Sequence, residues 1–174
     1  MDDETEVRFT PPPCPTETEP LSAFLVARGY APIPLARNVV GHFEVEARVN
    51  GQPLRLLLDT GASRTVLDVN AAVQLGLNLE ASEQQAGGVG TATQAVQLAT
   101  AASFDLGSLS LGSRPLAIID LSHVSQALSG HGGNAIDGAI GGDILRDHDG
   151  IIEYTAATLY LRPFASASGG PSND

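Results

Sequence analysis

The chain has 174 residues, a length that suits one folded domain with loose ends, and 43% of them are hydrophobic, as in ordinary globular cores. Its 20 acidic side chains against nine basic ones give a net charge of -11. We therefore expect no nucleic-acid partner, because phosphate binding needs a basic face. A single cysteine excludes an internal disulfide framework and a multi-cysteine zinc site. No stretch approaches the roughly 20 apolar residues of a membrane helix, so we expect no membrane-spanning segment.

The compartment stays open between two alternatives. The first residues, MDDETEV, are acidic where a secretory signal is basic and then apolar. The sequence therefore fits a cytoplasmic protein or, if an export or anchor segment has been removed, a periplasmic or membrane-associated one.

The two ends of the chain differ in composition from its middle. Residues 1–20 are acidic and rich in proline and threonine, which predicts a disordered tail, and the polar residues 164–174 predict a second one. Residues 21–38 form an N-terminal extension, in which residues 21–30 favour a short amphipathic helix. A folded domain is expected over residues 39–163.

A hairpin opens this domain and ends in an acid. Apolar and polar residues alternate from Val39, as in a half-buried strand, and Asn50–Gly51 then predicts a tight turn because both residues tolerate positive φ. The return strand ends at Asp59, which Thr60 follows. A carboxylate at the end of a buried strand loses hydration, and only a partner or a chemical role compensates for that loss.

The rest of the domain is predicted to consist of strands and short helices. Asp68 is expected to cap a helix that Gly76 closes, and Ser122 is expected to cap another. The glycine-rich segment 87–95 predicts a mobile hairpin. The later elements are two strands joined through Gly107–Ser108, a flexible loop at 129–138, an apolar-apolar-glycine segment at 139–141 before a short helix, and a final hairpin at 151–161.

A carboxylate that follows a strand and precedes a sharp turn permits acid–base chemistry. Two carboxylates placed side by side cannot both ionise easily, so they share a proton and one serves as base while the other serves as acid. Such a pair can activate a water for attack on an amide carbonyl. Because this chemistry needs neither a metal nor a covalent intermediate, we expect no cofactor.

The segment LLLDTGASRTVLD, residues 56–68, resembles the active-site loop of the retropepsin-like aspartic proteases. Ala139, Ile140 and Gly141 fit the second signature of that family, and the whole resemblance covers about residues 39–162. The chain is also similar to bacterial and DNA-damage-inducible-type retropepsin-like domains. The resemblance implies an all-β fold, a retropepsin-like acid protease β-barrel with one or two short helices, which forms a C2 homodimer.

The resemblance also implies roles for particular residues. Those that it assigns to the site are Asp59 as the catalytic acid, Thr60, Gly61, Ala62 and Ser63 as its support, and Gly87, Gly88, Val89 and Gly90 as the flap that contacts substrate. No metal site is implied. The function implied is that of an aspartic endopeptidase acting on a peptide or protein substrate, with activity favoured at mildly acidic pH because one acid must stay protonated.

A second copy of the chain is the partner that this chemistry requires. Only one Asp-Thr-Gly occurs in 174 residues, so the second carboxylate must come from another subunit. A C2 homodimer brings Asp59 to face Asp59 of its mate. The resemblance further implies interlocking Thr60 residues and a sheet of chain termini at the dimer base, for which TLYLRPF, residues 158–164, is the candidate strand.

Three alternatives remain beside the peptidase. The domain could bind peptides or act as a scaffold without cutting, or the chain could be a monomeric precursor that cuts only after trimming. The run Asp147, His148, Asp149 suggests a metal site, but adjacent helix residues do not face one point. Many viral relatives carry an arginine after the second signature where this chain has Gly142 and then Asp143, and a pair between Arg64 and Asp143 is our hypothesis for its replacement.

Overall fold

The computed structural model of the chain describes residues 20–86 and 94–163. The two predicted tails therefore lie outside the described residues, apart from residue 20. The strands are β1 (Ala31–Pro34), β2 (Ala36–Arg37), β3 (Phe43–Val49), β4 (Gln52–Leu58), β5 (Val66–Asp68), β6 (Glu80–Ala86), β7 (Gln94–Ala101), β8 (Phe104–Leu106), β9 (Leu109–Ser110), β10 (Arg114–Ile119), β11 (Gly138–Ile140), β12 (Ile151–Glu153) and β13 (Thr158–Leu161). The helices are α1 (Leu21–Val26), α2 (Val69–Gln74), α3 (Ser122–Gly130) and α4 (Gly142–Asp147).

The fold is all-β, as predicted, with four short helices rather than one or two. Ten strands form one large sheet in the order β6-β7-β10-β5-β11-β4-β3-β8-β9, with β2 paired to β3. Within the described part of the chain these pairings form an open path, and no closed barrel is found. None of the four described helices is long and apolar enough to cross a membrane.

The hairpin that leads to Asp59 forms as predicted. β3 and β4 are antiparallel, and their register closes at Val49 opposite Gln52. Asn50 and Gly51 have φ values of 50° and 79°, the left-handed conformations that a tight hairpin turn of this kind requires. The Asn50 side chain also accepts hydrogen bonds from two backbone N–H groups at residues 102 and 103, so this turn is tied to the loop before β8.

The centre of the large sheet is the place where three strands bring both sequence motifs together. β11 lies between β4, to which it is parallel, and β5, to which it is antiparallel. Gly138 begins β11, and a side chain there would collide with the Val66 carbonyl and the side chains of Leu56 and Leu67. The close spacing of these three strands therefore depends on a residue without Cβ at this position.

The main core is built from aliphatic side chains, as the shortage of aromatic residues predicts. Its largest fully buried members are Ile33, Leu56, Leu67, Phe104, Leu106, Leu116, Ile118, Ile140, Ile144, Leu159 and Leu161. Ile144 is the fully buried residue of α4, and it fixes this six-residue helix against the sheet directly after the second signature. Burying an aliphatic side chain of this size contributes roughly 1.5–3 kcal/mol.

The predicted cap of α2 is confirmed. The Asp68 carboxylate accepts a hydrogen bond of 2.8 Å from the Asn70 N–H, and Gly76 closes the helix with a φ of 65°. The other carboxylate oxygen of Asp68 accepts 2.9 Å from the Leu121 N–H. The same acid thus caps one helix and holds the start of the next.

The helix predicted after Ser122 is present, but the assignment of its cap is wrong. Ser122 is the first residue of α3, and the preceding Leu121 makes no side-chain cap. Asp120 instead satisfies the start of the helix, because its carboxylate accepts a hydrogen bond of 2.8 Å from the Ser122 N–H. Hydrogen bonds from the Ser122 hydroxyl and backbone lower the pKa of Asp120. Leu128 of α3 packs in a small cluster with Leu121 and Ile136, over the face of the central strands.

A second, smaller sheet joins the two ends of the described chain. Its order is β1-β13-β12, so the candidate terminal strand TLYL, which is β13, is central and pairs with a neighbour on each edge. Tyr160 of β13 is buried with Leu25 and Tyr30, which anchors α1 on this sheet. Burial, followed by the hydrogen bond and charge of Glu153, raises the pKa of the Tyr160 phenol. Its neutral form therefore contributes stability that is fully present below pH ~10 and is lost as the pH rises through the raised pKa.

Candidate active site

Asp59 follows β4 directly, and backbone hydrogen bonds fix its position. Its N–H donates to the Ile140 carbonyl at 3.0 Å, which continues the pairing of β4 with β11 by one residue. The Asp59 carbonyl accepts a hydrogen bond of 3.2 Å from the Ala62 N–H, so the chain turns sharply after the acid. The Gly61 N–H donates to the carboxylate Oδ1 at 2.9 Å and orients the side chain.

The carboxylate is half-buried and lies beside a glycine that leaves room for it. A Cβ at Gly61 would approach the Asp59 Oδ1 to 3.2 Å, which is tighter than ordinary contacts. Thr60, Gly61 and Ser63 are exposed. The loop therefore presents one fixed acid at a surface, and its neighbours in the motif carry no bulk that would cover it.

The second signature supports this loop from the opposite side. A Cβ at Gly141 would overlap the carbonyl group of Arg64, so only glycine fits there. The Gly142 N–H donates to the Ala62 carbonyl at 2.7 Å. The sequence resemblance grouped Ala139–Gly141 with the Asp59 loop, and the structure brings the two segments into contact.

Thr65 and Asp143 form a buried link between the loop and α4. One carboxylate oxygen of Asp143 accepts from both the N–H and the hydroxyl of Thr65, at 2.8 and 2.7 Å. The Thr65 hydroxyl in turn accepts 3.1 Å from the buried Gly141 N–H. These three contacts hold the end of the Asp59 loop against the first turn of α4.

The proposed pair between Arg64 and Asp143 is not formed. Arg114 of β10 approaches the second Asp143 oxygen at 3.9 Å, and its side chain is 14% exposed. Arg146 of α4 instead points back to the loop and donates to the Ser63 carbonyl at 3.4 Å. The Arg64 side chain is exposed and makes no ion pair with any residue in the described part of the chain.

Sequence reasoning identified the loop but missed its supports. Thr65, Asp143 and Arg114 form this network, and none of them was assigned to the site. A signal was present for Asp143, because an acid directly after two glycines lies in the first turn of a helix. Arg114 is 29 residues from Asp143 in sequence, and no local pattern connects the two.

The remaining sequence-assigned residues have different outcomes. Gly87, Gly88, Val89 and Gly90 lie outside the described residues, and the strands β6 and β7 on either side pair antiparallel. His148 of the suspected metal run is buried, and its Nδ1 donates to the Arg162 carbonyl at 2.8 Å. Across residues 20–86 and 94–163, no group of three or more His, Cys, Asp or Glu side chains could hold a metal ion.

Residues 45–144 match the model of the aspartyl protease family, a span of more than half the chain. The chain belongs to the aspartyl protease family. No curated protein matches the chain in sequence. In this aspartyl protease family member, the matched span includes the Asp59 loop and ends in the first turn of α4, at Ile144.

The fold of this family member is retropepsin-like, as the first of three similar solved structures shows. A retropepsin-like aspartic protease from Rickettsia conorii superposes with a TM-score of 0.51 at 23% identity, over 76% of this chain and 91% of that one. The EIAV protease in complex with the inhibitor HBY-793 gives 0.48 at 20% identity, over 64% and 92%. The retroviral protease-like domain of Ddi1 from Leishmania major gives 0.45 at 14% identity, over 72% and 96%.

We expect Thr65→Val to destabilise the protein by about 1–3 kcal/mol, because it leaves the buried Gly141 N–H without its acceptor. Thr65→Ser is the matched control, because it keeps the hydroxyl and loses only a methyl group, at a cost of about 1 kcal/mol. Urea unfolding of both variants measures the difference. A valine variant as stable as the serine variant would show that this hydroxyl does not hold the loop.

Proposed function

We propose that this chain is an aspartic endopeptidase that hydrolyses peptide bonds with a water activated by two Asp59 carboxylates, one from each subunit of a homodimer. One observation carries the proposal. Asp59, the acid of the family motif, is oriented by the Gly61 N–H and stands half-buried at the end of a central strand. The backbone around it is fixed by Ile140 and Gly142, so the acid needs only its counterpart.

The requirement for a second chain follows from the chemistry. Hydrolysis by paired carboxylates needs one base and one acid at the same water. The family motif occurs once in 174 residues, so one protomer supplies one of the two groups. A two-fold axis near Asp59 supplies the other, and the exposed Thr60 beside it is available for contact with its symmetry mate.

The reaction then proceeds without a covalent intermediate. The ionised Asp59 takes a proton from the water while the protonated Asp59 of the other subunit polarises the scissile carbonyl. The water oxygen bonds to the carbonyl carbon and a tetrahedral diol forms. Its collapse breaks the C–N bond, and the leaving nitrogen receives a proton from the pair. The backbone of Gly61 and Ala62 borders the peptide, and Ser63 supports the end of the loop.

The β6–β7 hairpin is our candidate for the flap. β6 is the last strand of the large sheet at this end, so one of its edges carries no strand among the described residues. An extended peptide can add to such an edge through backbone hydrogen bonds. Gly87, Gly88, Val89 and Gly90 connect the two strands, and we propose that they close over the bound peptide.

The small sheet offers one suitable edge for a second copy. β13 is paired on both sides, so it is not the strand that meets the partner edge to edge. The outer edge of β1 contains Pro32 and Pro34, which lack the N–H that strand pairing needs. β12 has no proline and ends the sheet at its other side. We therefore propose that two β12 strands pair across the dimer axis.

Asp59→Asn should lower kcat/KM by about 10²–10⁴-fold, because the variant cannot accept the proton of the attacking water. The measurement is hydrolysis of a mixed peptide library between pH 4 and 7. Asp105→Asn is the matched control, an acid on β8 with the same chemical change, and should cut like the parent. A parent that binds peptides but cuts none would favour the scaffold alternative, and an active Asp59→Asn would remove the mechanism.

Cysteine cross-linking tests the β12 edge. Ile151→Cys and Ile152→Cys are made separately in a chain in which Cys14 is replaced by serine, so that each variant carries one thiol. Antiparallel pairing brings opposite Cα atoms to about 4.5–5.5 Å, within disulfide reach. Oxidation should give covalent dimers from at least one of these variants and none from the control Ala31→Cys on β1. Cross-linking of the control alone would move the interface to the β1 edge.

A further inference from the structure

Arg64 is the arginine that the structure leaves without a partner. The chain contains no lysine, and eight of its nine arginines lie in the described part. Seven of these eight donate to a carbonyl, approach a carboxylate or lie over a ring: Arg28, Arg37, Arg48, Arg55, Arg114, Arg146 and Arg162. Arg64 makes no such contact with residues 20–86 or 94–163, and it is exposed. In a protein with a net charge of -11, an unpaired guanidinium is an open anion site.

The backbone of Arg64 is fixed although its side chain is free. Its carbonyl group packs against Gly141 so closely that no Cβ would fit between them. The next residue, Thr65, is hydrogen-bonded through its N–H and its hydroxyl to Asp143. The guanidinium therefore extends from a rigid base, which limits the region of space that it can reach.

The strand order places Arg64 close to Asp59. Asp59 bonds to Ile140 at the end of β11, and Arg64 packs against Gly141, the next residue, on the other side of β11. Two strand spacings of about 4.8 Å therefore separate the two residues, or roughly 10 Å. An extended peptide advances about 3.3 Å per residue, so roughly 10 Å corresponds to three residues from the cleaved bond.

The charges around Arg64 favour an anion supplied by another molecule. Arg146 adds a second exposed positive charge at the same end of the loop, where it contacts the Ser63 carbonyl. Asp143 is already engaged by Thr65 and faces Arg114. Asp147, which follows Arg146 in α4, is exposed and makes no ion pair within the described residues. Arg64 thus has no acid among the described residues as a partner.

We infer that Arg64 selects peptides with an aspartate or glutamate two to four residues from the cleaved bond. This inference rests on the proposed peptidase function and adds the substrate class. The guanidinium would bind the side-chain carboxylate, for which its fork of N–H donors is suited. In a C2 dimer each subunit contributes one Arg64, so the preference applies at equal spacing on both sides of the cleaved bond.

The test compares matched peptides that differ at one position. Each pair carries glutamate or glutamine at the second, third or fourth residue from the cleaved bond, on either side. The parent should hydrolyse the glutamate peptide with a kcat/KM about fivefold higher at the best position, the size expected of an exposed ion pair. Equal values for all pairs would overturn the inference.

Variants of Arg64 then assign the preference. Arg64→Gln should bring the glutamate-to-glutamine ratio to about one, and Arg64→Glu should favour the corresponding lysine peptide, an inversion that loss of structure alone does not produce. Arg48→Gln, an exposed arginine on β3, is the control and should keep the ratio of the parent. A preference that persists in Arg64→Gln would contradict the inference.

Peptide binding separates this inference from the catalytic proposal. Affinities of the same peptide pairs are measured on Asp59→Asn and on Asp59→Asn/Arg64→Gln, neither of which needs to cut. The inference is supported if Asp59→Asn binds glutamate peptides more tightly than glutamine peptides and Asp59→Asn/Arg64→Gln does not. This result would hold even if the parent never hydrolyses a peptide. Absence of any glutamate preference in binding and in hydrolysis overturns the inference, and a parent that cuts without this preference leaves the peptidase proposal standing.

Discussion

The close contact between the two glycines after β11 and the loop after β4 is the constraint on which the site depends. Gly141 lets the backbone at residues 64 and 65 pack against it, and Gly142 donates to the Ala62 carbonyl. The Ile140 carbonyl, directly before the two glycines, accepts a hydrogen bond from the Asp59 N–H. Residues 140–142 therefore hold both the acid at the start of the loop and the backbone at the end of the loop. A side chain at position 141 would separate the two, because the space holds backbone only.

The loop is held within one chain, whereas the mechanism that we propose divides the chemistry between two. Buried hydrogen bonds among Thr65, Gly141 and Asp143 hold the loop with no contribution from a partner. The Asp59 carboxylate has one oriented oxygen and a half-exposed position, which suits an acid that acquires its counterpart on association. Under the proposed mechanism this loop is a preformed half-site, and preorganised groups lose less freedom when two subunits assemble.

The parts of the fold that sequence could predict are those set by local rules. Asn50–Gly51 made the hairpin because the turn needs two positive φ values, and Asp68 capped α2 because a carboxylate before a helix accepts its free N–H groups. The same local rule failed at Ser122, since the helix begins at Ser122 itself and the Asp120 carboxylate accepts a hydrogen bond from the Ser122 N–H. The family resemblance linked residues 139–141 to the loop as the second signature of the family, a connection that no local rule could make.

The parts that sequence could not predict depend on contacts between distant segments. Asp143 contacts Thr65 and Arg114 rather than Arg64, because β5, β10 and α4 meet in space. The candidate terminal strand forms the centre of a small sheet within one chain, and its place at a dimer base stays a prediction. Its two neighbours could not be foreseen, and they leave β12 as the edge strand without proline. The flap residues 87–90 lie outside the described chain and stay a prediction.

Subunit mixing tests most directly whether each active centre draws on two protomers. Parent and Asp59→Asn chains are combined at one to three, given time to exchange subunits, and assayed for peptide hydrolysis per parent chain. If a mixed dimer cannot cut, random pairing leaves about one quarter of the activity per parent chain. Activity per parent chain that does not change at any mixing ratio, with exchange demonstrated, would show that a single protomer carries the whole site and would contradict this account.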